Sequence, residues 1–495
     1  MRGIFTPVTN VRRQVFKKVA ELAYNYNGDY SKVDEIPYEI IKGEVASYRE
    51  SVFKERAIVA ERIRLACGLS VRRADEHAPL SRDFDKAIST GRVFETPLVN
   101  VIPFACNACD ETSYYVTDNC RNCLAHPCTS VCPTKAVSIV NGQSFIDKEK
   151  CVRCGRCAEF CPYRAIVKYD RPCSAACGVN AIESDDLGRA VINQDKCVSC
   201  GQCLVNCPFA AIADKSQIFQ LILALKQGDD VIAEIAPAFV GQFGPLATPN
   251  KVKAALLSLG FKEVYEVALG ADQGAIEEAH HYVEEISTGK MPFLATSCCP
   301  SWSVMAKTLF PEIADCVSDA LTPMVATARI IKKEHPHAKV VFIGPCASKK
   351  LEAFRKSVKS DVDYVITFEE LMGMFAAKDV DFSTECDETV EDAAATGRGY
   401  GVAGGVADAI VSCIQKEHPD LDVHVDRAEG LANCRKMLTL AKAGKRNGFL
   451  LEGMACEGGC IGGSGTLQPL KKATTQVKKF ADESKFANAL DKPNN

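Results

Sequence analysis

A chain of 495 residues is too long for one hydrophobic core and predicts several domains. Hydrophobic residues make up 47% and charged ones 25%, and 59 Lys plus Arg stand against 63 Asp plus Glu, a balance that excludes nucleic acid as a partner. No run of about 18 apolar residues occurs, and the start, MRGIFTPVTNVRRQ, lacks a continuous apolar segment, so no membrane partner and a cytoplasmic location are expected.

Residues 1–100 read as a helical segment with no assigned chemistry. VRRQVFKKVAELAYNY sets Val11, Val15, Phe16, Val19 and Leu22 on one stripe, and Val52, Ile58, Val59 and Ile63 form another. Residues 101–213 hold 16 of the 26 cysteines, in two copies of one unit that each run through a strand-like stretch into C-x2-C-x2-C, the mark of a two-cluster ferredoxin-like fold. From 214 to 466 the pattern becomes short apolar runs (DVIAEIAPAF, EVYEVALG, MPFLATSC, AKVVFIGPC, DVDYVITF, GFLLEGMAC) separated by amphipathic stretches, which predicts βαβ units with buried parallel strands. Residues 467–495 read as a polar tail that frays.

The spacing C-x2-C-x2-C-x3-C-P gives three thiolates to one iron–sulfur cluster and the fourth to a second. Cys151, Cys154, Cys157 and Cys161 fit it, as do Cys197, Cys200, Cys203 and Cys207; Cys120, Cys123, Cys128 and Cys132 fit with a longer middle gap. A zinc site, with separated C-x2-C pairs, matches these runs less well. Two pairings stay open. In one, Cys120, Cys123 and Cys128 share a cluster with Cys161, and Cys151, Cys154 and Cys157 share one with Cys132. Cys106, Cys109, Cys173 and Cys177 are then an outer motif cut open by that insertion. Cys207 joins the first three, and Cys177 joins Cys197, Cys200 and Cys203, making about four accessory 4Fe-4S clusters. In the other pairing Cys161 and Cys207 change places, and the outer four are a zinc site or idle.

Three apolar runs in the C-terminal half end in cysteines set among Gly and Pro: Cys298 and Cys299, Cys346, and Cys456 and Cys460. Parallel strands present functional residues at their carboxyl ends, so these thiols are expected to converge. Cys67, Cys316, Cys386, Cys413 and Cys434 read as buried apolar cysteines.

The segments TSCCPSW, GPCASKKLE and EGMACEGGCIGG resemble the three signature segments of the iron-only, or [FeFe], hydrogenases, in the family's order. The resemblance implies an α/β H-cluster domain of two lobes with parallel sheets and flanking helices, preceded by an α+β ferredoxin-like multi-cluster module and the N-terminal helical segment. It implies reversible H2 oxidation and proton reduction, with ferredoxin or a similar soluble carrier as electron partner and maturation proteins supplying the cofactor. That cofactor is the H-cluster, a 4Fe-4S cubane joined to a two-iron subcluster with carbonyl, cyanide and dithiolate ligands. Carried over by position, Cys299, Cys346, Cys456 and Cys460 would hold the cubane and Cys298 would be the proton-passing thiol. Lys349 would pair with a cyanide, while Met454, Ala236 and Pro237 would line the pocket. Glu278 and Ser318 would continue the proton route, and His281 takes the place of an outer glutamate. Gly344, Met324 and Tyr400 depart from the methionine, glutamine and phenylalanine of well-studied members. A non-catalytic sensor or iron–sulfur assembly protein is the alternative, and electron bifurcation with further subunits a third.

Overall fold

The computed structural model describes all residues except 1, 2, 74, 76, 90–94, 356, 391, 392, 494 and 495. Apolar runs assemble two parallel sheets. One has four strands in the order Glu263–Glu266, Val231–Ile235, Lys339–Gly344, Tyr364–Thr367, and the other three, in the order Phe293–Ala295, Phe449–Met454, His424–Glu429. Strands Val231–Ile235 and Tyr364–Thr367 are buried at every position, Glu234 included, as strands covered on both faces are. His424–Glu429 is the strand missed in the sequence. It is a mostly exposed edge, HVDRAE, whose polar composition hides it among loops.

The cysteine module is built from antiparallel pairs: Val99–Val101 with Ile212–Asp214, Ser113–Val116 with Ile166–Tyr169, Val137–Val140 with Gln143–Ile146, and Ile182–Ser184 with Ala190–Ile192. The second pair closes residues 113–169 as an insert within the unit that the first pair closes. The boundaries expected at 100 and 213 therefore each cut a strand of one pair.

Helix Pro7–Asn25 packs on helices Phe368–Ala377 and Ile218–Gln227, and its Val11, Val15 and Val19 share a core with Ile232, Val341 and Val365 of the larger sheet. In helix Val52–Ala66 the buried Arg62 donates to the Ile212 carbonyl at 3.3 Å. At the seam the fully buried Lys350 binds Asp214 at 2.7 Å, Glu370 at 2.9 Å and the Lys215 carbonyl at 2.8 Å. A buried ammonium needs such partners, so this contact fixes how the module sits on the sheet domain.

The polar tail does not fray. Leu470–Asp482 is a helix that buries Ala473, Val477 and Phe480; the Arg398 guanidinium lies 3.9 Å from the Phe480 ring centre and binds Glu266 through two bonds of 2.9 and 2.8 Å. Its apolar residues fall on one narrow stripe among many lysines, which is why composition alone reads it as solvent-exposed. Among the described residues no helix is long and apolar enough to cross a membrane.

Candidate active site and iron–sulfur sites

All 26 cysteines are free thiols. Among the described residues no group of three or more His, Cys, Asp or Glu side chains is arranged to hold a single metal ion. The thiols of the module surround wider spaces. Cys120, Cys123, Cys128 and Cys161 line a cavity of about 370 Å³, and Cys106, Cys109, Cys173 and Cys207 one of about 350 Å³. Cys157 faces Cys151, Cys154 and Cys132, and Cys203 faces Cys200, Cys197 and Cys177. These are the four groups of the first pairing; the exchange of Cys161 with Cys207 is not what the fold brings together.

The backbone repeats with the thiols. The second residue after each leading cysteine (Ala108, Asn122, Arg153, Ser199) has φ between 44° and 59°, as does the third residue after Cys132, Cys161, Cys177 and Cys207 (Lys135, Arg164, Asn180, Ala210). Left-handed backbone in residues with a Cβ costs about 1–2 kcal/mol each and persists only where something over-determines it. It turns amides onto sulfur: Ala136 donates to Cys132 Sγ at 3.2 Å, Ala165 to Cys161 at 3.3 Å and Ala181 to Cys177 at 3.2 Å. Thiolate sulfurs sharing iron need such donors, so the residues fit iron–sulfur clusters.

The cysteines of the C-terminal domain converge at the carboxyl ends of both sheets. Cys298, Cys299, Cys346, Cys456 and Cys460 line one predominantly apolar cavity of about 840 Å³ with Ala236, Pro237, Lys349, Met454, Met324, Phe342 and Tyr400. Cys299 and Cys346 occupy the N-cap positions of helices Pro300–Leu309 and Ala347–Ala353; burial pushes both thiols up, against the pull of nearby backbone amides and the Lys349 ammonium. The two-cysteine loop is held by Trp302, which is fully buried and donates from Nε1 to the Thr296 carbonyl at 2.9 Å. A Cβ on Gly453 would meet the Trp302 ring at 2.2 Å. Gly459 (φ 82°) admits the chain beside Ala403, whose nitrogen a Cβ would meet at 2.5 Å. At Gly344 a Cβ would strike the Phe342 ring at 2.4 Å, so Phe342 fills the space a larger residue would take.

Lys349 is buried, with 7% of its surface exposed, not the solvated lysine its charge alone suggests; its Nζ donates to Glu352 at 2.6 Å and to the Cys298 carbonyl at 3.4 Å. Glu278 is also buried. The Ser297 amide donates to it at 3.3 Å, and Ser318 hydrogen-bonds its carboxyl; burial pushes its pKa up to about 7, against the pull of those two bonds. Cys298 beside it is pushed well above the usual thiol range, first by burial and then by the Glu278 charge. His281 is not drawn into this network. It lies half-buried at the end of helix Ala268–His281, with no side-chain hydrogen bond among the described residues. The four other buried-cysteine expectations hold in the structure, but Cys386 is exposed.

Sequence reasoning missed the joint between the two cysteine sets. Cys200 lines the main cavity, and Gln202 Nε2 donates to Cys456 Sγ at 3.1 Å. Ser301 and Ser348 both donate to the Val198 carbonyl at 3.2 Å. The only signal was the position of Gln202 inside a C-x2-C. Glu452 was also missed; its buried carboxyl accepts from the Gly404 and Ala407 amides at 2.7 and 2.8 Å.

The donor set, the apolar walls and the glycines that admit backbone to the cavity edge fit a bulky iron group bound by four thiolates. Residues 229–464 match the family described as iron only hydrogenase large subunit, C-terminal domain, and residues 120–171 and 167–218 match the LdpA Fe-S cluster-binding domain. NADP-reducing hydrogenase subunit HndD of Solidesulfovibrio fructosivorans is 28% identical over 70% of this chain and 68% of its own. Iron hydrogenase 1 of Clostridium pasteurianum is 28% identical over 68% of this chain and 67% of its own. Protein NAR1 of Arabidopsis thaliana is 26% identical over 52% of this chain and 69% of its own. A solved [FeFe]-hydrogenase structure overlays with a TM-score of 0.48 at 22% identity, covering 56% of this chain and 92% of that one. The chain is an [FeFe]-hydrogenase-like protein, with an iron–sulfur-binding module ahead of its large-subunit domain.

Proposed function

We propose that the protein is a hydrogenase that interconverts protons, electrons and H2. The observation that carries this is the meeting of Cys299, Cys346, Cys456 and Cys460 in one apolar cavity with a fifth thiol, Cys298, beside them. The four would hold the cubane, and the buried Lys349 ammonium would balance the anionic ligands of the two-iron subcluster. When bound, the two-iron group supplies the metal site at which the H–H bond is made or broken.

The chain's own residues manage protons and electrons. Cys298 keeps its proton on Sγ in the buried state and exchanges it with Glu278, whose carboxyl titrates near neutral pH, the range in which a relay group transfers protons best. Ser318, hydrogen-bonded to that carboxyl, passes the proton on. Electrons enter through about four accessory 4Fe-4S clusters, the one held by Cys177, Cys197, Cys200 and Cys203 adjoining the cavity through Gln202. A soluble carrier such as ferredoxin would supply them, and the exposed Cys154 sets one cluster at the surface.

The likeness to proteins named NAR1, one of them described as a cytosolic Fe-S cluster assembly factor, favours a second reading, an iron–sulfur assembly protein without turnover. Anaerobic assay of the loaded protein for H2 with reduced viologen or ferredoxin separates the two. Turnover is expected, and inactivity with a filled two-iron site would overturn the hydrogenase reading.

A further inference from the structure

Two polar side chains that line the main cavity are spoken for, Lys349 by Glu352 and Ser301 by the Val198 carbonyl. Tyr400 is not. Its residue is 6% exposed, it lines the cavity with Cys298, Met324 and Met454, and its hydroxyl has no hydrogen-bond partner among the described residues. Its ring belongs to an apolar cluster with Ala271, Ala275, Ile410 and Met454, whose side chains offer no strong acceptor. A buried hydroxyl without a partner loses its hydration and gains nothing in return, whereas a phenylalanine would fill the same shape at no such cost. Burial holds the phenolic proton in place, so the group is a standing donor.

We infer that Tyr400 is a positioning residue whose hydroxyl donates a hydrogen bond to an acceptor atom on the two-iron group bound in this cavity, fixing that group against Cys298. The inference rests on the reading of the cavity as the two-iron site. A donor from the protein withdraws electron density from its acceptor and narrows the orientations the bound group can take. The hydroxyl gains its partner only with the two-iron group bound, so binding of that group and the hydroxyl are thermodynamically linked.

Tyr400→Phe tests this in two forms of the protein, one carrying only its iron–sulfur clusters and one also loaded with the two-iron group. Infrared spectra of loaded wild-type protein come first. Absent carbonyl and cyanide bands would count against the reading of the site itself and not against Tyr400. With bands present, Tyr400→Phe is expected to raise Tm without the two-iron group, to leave it unchanged or lower it with the group bound, and to displace at least one band. A Tm change of the same sign and size in both forms, or bands that do not move, would overturn the assignment. Tyr24→Phe is the control: its hydroxyl is also buried without a partner, but at helix Pro7–Asn25, away from the cavity, so its effect on Tm should be the same in both forms.

Discussion

At the residue scale the site depends on two buried charges. Lys349 and Glu352 are both buried and meet at 2.6 Å, so truncating one strands the other in a medium that cannot solvate it. Lys349→Ala is expected to cost about 3–5 kcal/mol in chemical denaturation. It should also leave protein that retains iron–sulfur absorbance but binds the two-iron group poorly. Glu278 gives a pH signature. Burial raises its folded pKa to about 7, above the unfolded carboxyl value, so the folded chain holds a proton that the unfolded chain gives up. Its contribution is fully present below the unfolded pKa and is lost as pH rises through about 7. Glu278→Gln cannot lose that proton. Its Tm relative to wild type should climb as pH is raised from about 5 to about 8, while turnover falls by roughly 10²–10⁴. A flat Tm difference would show that Glu278 does not titrate there.

At the element scale, the loops after the strands decide the chemistry. Trp302 pins the two-cysteine loop, and Trp302→Ala is expected to cost about 3–5 kcal/mol and to lower retention of the main iron group, both measurable by denaturation and iron content. Gln202 donates to Cys456 Sγ, and a hydrogen bond to a ligand sulfur stabilises the reduced, more negative cluster. Gln202→Leu should therefore lower the midpoint potential of the main cubane in a redox titration; an unchanged potential would contradict the contact. The strands that carry these loops were legible because they are mostly apolar, Lys339 and Glu452 aside, and lead into Gly, Pro and Cys. Strand His424–Glu429 was not, since an edge strand needs no apolar run, and helix Leu470–Asp482 was not, since its apolar stripe is diluted by lysines. The convergence of the five thiols was legible by resemblance and by strand-end position. The unpartnered Tyr400 hydroxyl and the Gln202 contact were not, because both depend on how distant segments pack.

For the whole molecule, the cysteine module and the sheet domain are joined by specific polar contacts. The Lys350 network, the two serines on Val198 and the Gln202–Cys456 contact lock the module so that one thiol set touches the main cavity, while an inserted pair extends toward solvent. Protein carrying all of its clusters but no two-iron group should contain about twenty iron atoms per chain, and Cys157→Ala should contain about four fewer. On this reading Cys299, Cys346, Cys456 and Cys460 together grip one iron group to which the two-iron centre is attached. Infrared spectroscopy of the matured protein tests it most directly. Wild type should show carbonyl and cyanide bands and Cys346→Ala should not. Bands that persist in Cys346→Ala, or that are missing from fully matured wild type, would contradict the account.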